Sequence, residues 1–210
     1  MLEDLFTILK NQPSDINEHL ETLRELASEC NTVVEFGVRN IVSTVSLAVS
    51  GCKNLHSYDI NDASILNPDR FMLLKMHCEK NNINFKFNKC DILKLETIPE
   101  CEMLFIDTFH AYAQLKCELF FFSNKVKNYI VMHDTVCFSK SDETVISKEN
   151  WFNNYKNDEK ICNLVKIESE KSGLISAIEE FLELNPEWKI LKQYTNNNGL
   201  TILKRSFPNE

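Results

Sequence analysis

At 210 residues, with 43% hydrophobic and 26% charged positions, the chain holds enough apolar matter for one well-buried core and requires no second one. A formal net charge of −8 and a pI near 5.2, with Lys and Arg scattered rather than striped, argue against a surface that grips nucleic-acid phosphates. Eight cysteines occur without a Cys-x-x-Cys pair or matching histidines, so free thiols in a reducing, cytoplasmic setting are expected rather than zinc or disulfides.

The sequence opens Met1-Leu2-Glu3-Asp4, with no basic stretch leading into an apolar run, and no segment approaches the ~18 apolar residues of a membrane span. A protein without a membrane partner is expected. Ile16, Leu20, Leu23, Leu26 and Ala27 share one face of a helix predicted over 14–29, with Ser14 as its N-cap. Residues 1–30 would then form a helical cap across the sheet or over a ligand entrance, and a surface for a homodimer.

Val33-Val34-Glu35-Phe36-Gly37 reads as a buried strand and tight turn, Ser43 and Thr44 open a small-residue helix, and a second strand closes on Asp59. That is the outline of a nucleotide-binding βαβ unit, in which Gly37 makes the turn and Asp59 stands where ribose hydroxyls need an acceptor. Arg39 and Asn40 occupy positions where a dinucleotide fingerprint has glycines, and the chain has four Gly in all. A pyrophosphate, and with it a dehydrogenase, is disfavoured; an adenosine-bearing cofactor without phosphates is expected.

Pro68 opens a further helix carrying Phe71, Leu74 and Cys78, and a short alternating strand follows at Ile83 to Asn88. Met103 to Asp107 is a buried strand ending in an acid, His110 to Asn124 a helix, and Tyr129 to Met132 a strand ending at His133-Asp134. Residues 136–172 are polar with Trp151, Phe152 and Tyr155 embedded, the character of a lid or substrate insertion. Leu174 to Leu184 is helical. Strands at Trp188 to Tyr194 and Leu200 to Lys204 are joined by an Asn-rich turn ending at Gly199, hence a hairpin. Strands alternating with helices predict a single α/β domain over 1–210, its sheet mostly parallel and covered on both faces.

The Glu35-Phe36-Gly37-Val38-Arg39 opening with Ser43-Thr44, the Asp107 to Tyr112 segment, His133-Asp134-Thr135 and Asn198-Gly199-Leu200-Thr201, in that order, resemble class I S-adenosylmethionine-dependent methyltransferases. Within that class they look most like the small O-methyltransferases of sugars and natural products, including the cephalosporin-hydroxylase-like group. The resemblance, over residues 30 to 205, implies a Rossmann-like methyltransferase fold with a seven-stranded sheet and a C-terminal antiparallel hairpin. It implies S-adenosylmethionine as cofactor, with Glu35, Gly37, Val38, Arg39, Ser43 and Thr44 around its methionine part and Asp59 on its ribose. Asp91 and Ile92, after the third strand, would meet the adenine, and Asp107 would also border the cofactor. Asn40 departs from the usual small glycine, and Thr108-Phe109 from a Gly-Asp pair whose carboxylate relatives use as a base.

Methyl transfer to an alcohol is an in-line displacement that requires the hydroxyl to lose its proton, through a metal, a base or both. Asp107, His133 and Asp134 lie at the ends of two strands predicted to be adjacent, and this donor set suits Mg²⁺ or Mn²⁺. His110, with an ordinary pKa near 6.5, is the candidate base, and Asp107 completes the catalytic set. Plainer readings stand beside these. Glu35 and Asp59 satisfy strand-end donors, Asp91 N-caps the short helix that follows it, Asp107, His133 and Asp134 form a hydrogen-bonded cluster, His110 caps or packs, and the aromatics are lid packing instead of a platform for sugar rings. The expected function is a metal-assisted O-methyltransferase acting on a hydroxyl of a sugar, glycan or small natural product. The alternative is a non-catalytic adenosine-cofactor-binding or interaction module on the same fold, because a fold does not establish turnover.

Overall fold

The computed structural model describes residues 1–166 and 169–206, so 167 and 168 of the expected insertion lie outside the described residues. Two helices, α1 (Leu2–Asn11) and α2 (Leu20–Ser28), precede strand β1 (Thr32–Phe36). Then come α3 (Val42–Ala48), β2 (Asn54–Asp59), α4 (Ala63–Leu66), α5 (Pro68–Lys80), β3 (Asn84–Lys89), β4 (Cys101–Ile106), α6 (Tyr112–Phe122) and β5 (Val126–His133). The chain continues through α7 (Lys148–Tyr155), α8 (Glu159–Leu164), α9 (Leu174–Leu184), β6 (Trp188–Tyr194) and β7 (Leu200–Arg205).

The seven strands of the described residues join one sheet in the order β3-β2-β1-β4-β5-β7-β6. β7 pairs antiparallel with both β5 and β6, while the pairs among β1 to β5 are parallel, as the sequence pattern leads one to expect. Strand order reverses between β1 and β4, and the C-terminal ends of strands flanking such a reversal form the crevice where open α/β sheets take ligands.

Burial on both faces explains the unbroken apolar runs of the central strands. Val33, Met103, Phe105 and Val131 pack toward α1, α2, α3 and α5, while Val34, Phe36, Leu104, Ile106, Ile130 and Met132 pack toward α6 and α9. Phe36, Phe105, Phe122 and Phe181 are fully buried, each contributing about 1.5–3 kcal/mol of transfer free energy.

The N-terminal cap differs from the single helix expected over 14–29. The Ser14 hydroxyl accepts from the Asn17 N–H at 3.0 Å, but the short 3₁₀ turn that Asn17 opens has Ile16, not Ser14, at its N-cap, and α2 begins only at Leu20. α1 lies within the helical cap expected over 1–30, where no separate helix was placed; it seats Leu2, Phe6 and Leu9, a helical spacing, in the core.

The insertion is stapled to the body at both ends. Asp142 Oδ1 accepts from the N–H of Tyr112 at 2.8 Å and of Gly173 at 2.7 Å. Gly173 has φ +78°, and a Cβ there would stand 2.4 Å from the Ser139 carbonyl oxygen, so this close approach requires glycine. Between the staples, α7 and α8 bury Trp151, Phe152, Tyr155 and Ile161 against Ala113 and Cys117 of α6. Among the described residues no helix is long and apolar enough to cross a membrane.

Candidate functional site

A cavity of about 390 Å³ opens at the C-terminal ends of β1, β2 and β4. That volume lies in the range of small-molecule sites. Its walls come from the β1–α3 loop (Gly37 to Asn40, Val42 and Ser43), the end of β2 (Asp59 to Asn61), Cys90 to Ile92, and Asp107 to His110. Gln114, Glu143, Trp151, Tyr155 and, from the N-terminal segment, Asp15 and Ile16 also line it.

The β1–α3 loop achieves its turn with a single glycine. Gly37 has φ +86°, and a Cβ there would lie 1.9 Å from the Asp107 carbonyl oxygen, so β1 and β4 end in backbone contact that a side chain would break. Arg39 and the buried Ile41 also take positive φ, at 42° and 60°. For a β-branched residue that is a strained conformation of the kind found at functional sites. Asp59 holds the loop in place: Oδ2 accepts from the N–H groups of Val38 at 2.7 Å and Arg39 at 2.8 Å, and Oδ1 from Asn61 at 2.7 Å. Asp59 therefore does what the plainer reading asks and still lines the cavity.

Glu35 and Thr44 are not among the lining residues. Glu35 is fully buried beneath the loop, where it accepts from Ser57 Oγ at 2.6 Å, Ser43 Oγ at 2.7 Å and Thr44 Oγ1 at 3.1 Å. Burial pushes its pKa up to about 7 despite those three donors. Ser43 bridges this buried knot and the cavity wall.

At the ends of β4 and β5 the structure brings Asp107, His110, His133 and Asp134 together. His110 Nε2 lies 2.9 Å from Asp134 Oδ2 and 3.3 Å from Asp107 Oδ1, while Nδ1 meets Glu143 Oε2 at 2.9 Å. The ring stacks on Phe138, centroids 4.8 Å apart and planes 3° from parallel. His133 Nδ1 stands 3.5 Å from one oxygen of each of Asp107 and Asp134. Its Nε2 faces the Asn197 carbonyl at 3.3 Å. Burial opposes the charged form of each imidazole, but the two carboxylates outweigh it and push both histidines up to about 10. The carboxyl groups of Asp107 and Asp134 are correspondingly held below their usual range, against the burial that would raise them.

Two buried atoms of this cluster, His133 Nδ1 and Asp134 Oδ1, have no hydrogen-bond partner among the described residues. Asp134 itself sits at φ +59°. Ligand atoms of Asp107, His110 and Asp134 lie within 4.8 Å of one another, an arrangement that fits a divalent cation. Sequence reasoning paired the two aspartates with His133; the geometry places His110 in the same set.

At the other end, Asp91 lines the cavity and also caps a 3₁₀ turn, Oδ1 accepting from the Leu93 N–H at 3.1 Å. The Tyr155 hydroxyl donates to both of its oxygens, at 3.1 and 3.2 Å. Trp151 Nε1 donates to Gln114 Oε1 at 3.0 Å, and Gln114 Nε2 and Thr108 Oγ1 donate to Glu118 Oε1 at 2.8 and 2.7 Å. Glu118 is fully buried, which pushes it up to about 7. Gln114, Glu118 and Glu143 escaped the sequence reading. Glu143 lies 33 positions from His110 and in the polar insertion, so no local spacing could announce their pairing.

No protein-family model and no curated protein matches the sequence. Solved structures do. An O-methyltransferase from Bacillus cereus, in complex with S-adenosylhomocysteine, is 13% identical, over 98% of this chain and 90% of that one, at a TM-score of 0.55. The O-methyltransferase TomG from Streptomyces achromogenes, involved in tomaymycin synthesis and solved with S-adenosylmethionine, is 11% identical over 98% and 86%, also at 0.55. The N-methyltransferase NodS from Bradyrhizobium japonicum is 12% identical over 92% and 97%, at 0.52. With the strand order and the lone reversed β7, these likenesses show that the chain has the Rossmann-like fold of class I S-adenosylmethionine-dependent methyltransferases. Both O- and N-methyltransferases share it, so the acceptor has to be argued from the site.

Proposed function

We propose that the protein is an S-adenosylmethionine-dependent O-methyltransferase, assisted by Mg²⁺ or Mn²⁺, that methylates a hydroxyl of a sugar, glycan or small natural product. The observation that carries this reading is the Asp107, His110 and Asp134 cluster beside a cavity with Asp59 and Asp91 at its far end. S-adenosylmethionine, when bound, supplies a methyl group on an electron-poor sulfur, and a divalent cation acidifies a hydroxyl. Asp107 and Asp134 would hold the cation with His110 or His133, whose buried Nδ1 lacks a partner.

Glu143 accepts from Nδ1 of His110 and so aims Nε2 at the two aspartates. Held protonated there, His110 takes up a further proton from an acceptor only after those carboxylates turn to another partner and its own proton leaves. Gly37 lets the chain pass against Asp107, and Phe138 fixes the imidazole plane. Asp15, Asp59, Asp91, Asp107 and Glu143 outnumber Arg39 and His110 around the cavity, which favours a neutral hydroxylated acceptor over an anionic one. One observation favours the non-catalytic module: Asp59 and Asp91 already have partners within the protein.

Calorimetric titration with S-adenosylmethionine and S-adenosylhomocysteine, with and without Mn²⁺, tests the reading. Micromolar binding, followed by chelator-sensitive methylation of a hydroxylated acceptor, is expected. No binding of either nucleoside would put the interaction module first.

A further inference from the structure

α7 closes over one end of the cavity with two polar hooks. The Trp151 hook runs inward, through Gln114 to the buried Glu118. The Tyr155 hook does not: its hydroxyl donates across both oxygens of Asp91 at 3.1 and 3.2 Å, and both residues line the cavity. A phenol has one proton to give, so this is a single forked bond spread over two acceptors. An ionised carboxylate only accepts, so any ligand group that engages Asp91 must be a donor, and on the outer edge of adenine that donor is the 6-amino group.

We propose that Tyr155 is an internal competitor for the 6-amino group of the adenosyl ligand. Entry of the nucleoside exchanges the Tyr155 bond to Asp91 for an amino bond to Asp91 and frees the C-terminal end of α7, while Trp151 keeps the rest of the helix seated on α6. The inference rests on the proposal that this cavity takes an adenosyl cofactor. It adds that the free protein keeps its purine slot shut with a side chain of its own insertion, so that insertion and cofactor respond to each other.

Tyr155→Phe removes the proton and little else. In calorimetry with S-adenosylhomocysteine the variant should bind about 10-fold tighter than wild type, the factor for a free site open about a tenth of the time. S-inosylhomocysteine, whose 6-oxo atom accepts, should show no such gain, because Tyr155 is then the donor it needs. Hydrogen exchange of the ligand-free proteins should be several-fold faster at the end of α7 in the variant. Wild type and variant binding S-adenosylhomocysteine equally, or the variant more weakly, would overturn the competitor and leave the cofactor reading intact. Binding by neither would remove both.

Discussion

The two halves of the site use their carboxylates differently. Around β1 and β2 the acidic side chains are paid up in hydrogen bonds: Glu35 receives three hydroxyls and Asp59 three backbone N–H groups. Around β4 and β5, Asp134 Oδ1 and His133 Nδ1 are buried without partners, and His133 meets its aspartates only at 3.5 Å. A buried polar atom left unpaired costs about 1–3 kcal/mol. The first half is thus finished structure that shapes a cavity, whereas the second holds a strain that a bound group would relieve. Residue type does not separate them, since both are rich in acids. The count of satisfied donors and acceptors does.

The hardest test of the finished half is Gly37→Ala. Its Cβ would need to occupy space 1.9 Å from the Asp107 carbonyl oxygen, at a φ that alanine resists. A loss of about 3 kcal/mol or more is expected in urea unfolding, together with loss of S-adenosylhomocysteine binding. A stable, binding variant would show that the contact between β1 and β4 gives way easily. In the unfinished half, Asp134→Asn keeps a residue tolerant of φ +59° but withdraws the charge. Mn²⁺ affinity of the folded variant should fall more than about 100-fold, beyond the usual loss from an outer partner, and unfolding stability should fall too, because His110 loses its 2.9 Å ion pair. Undiminished Mn²⁺ binding would place the cation elsewhere.

This division was only partly legible in the sequence. The mostly parallel sheet and the hairpin were, because fully buried parallel strands write long apolar runs and Asn198-Gly199 marks a turn. So was the convergence of Asp107, His133 and Asp134, since the ends of adjacent parallel strands share one edge, whereas the entry of His110 into that set was not. α1 was legible in Leu2, Phe6 and Leu9 but went unread. The pairing of Glu143 with His110 was not, because a bond across an irregular insertion has no period. Nor could the sequence tell Glu35 from Asp59: both end a strand, and only the depth at which each finds its donors separates a buried brace from a cavity wall.

Glu35 provides the finest test of that last distinction. Its carboxyl, pushed up to about 7 in the folded protein, has an ordinary value of 4.5. Between those values the folded state binds more protons than the unfolded one, so stability falls as pH rises through the window and the full cost is felt above pH 7. Glu35→Gln removes the titration and leaves a neutral group that Ser43, Thr44 and Ser57 can still engage by reorienting their hydroxyls. The variant should show a flatter stability profile between pH 4.5 and 7 and gain on the order of 1 kcal/mol at pH 8, read from urea midpoints across that range. A falling slope that survives below about pH 6, where His110 and His133 are protonated folded or unfolded, would belong to Glu118, also pushed up to about 7 and buried. If Glu35→Gln instead weakens S-adenosylhomocysteine binding with no change in the profile, Glu35 touches the cofactor and the boundary between finished and unfinished carboxylates must move to include it.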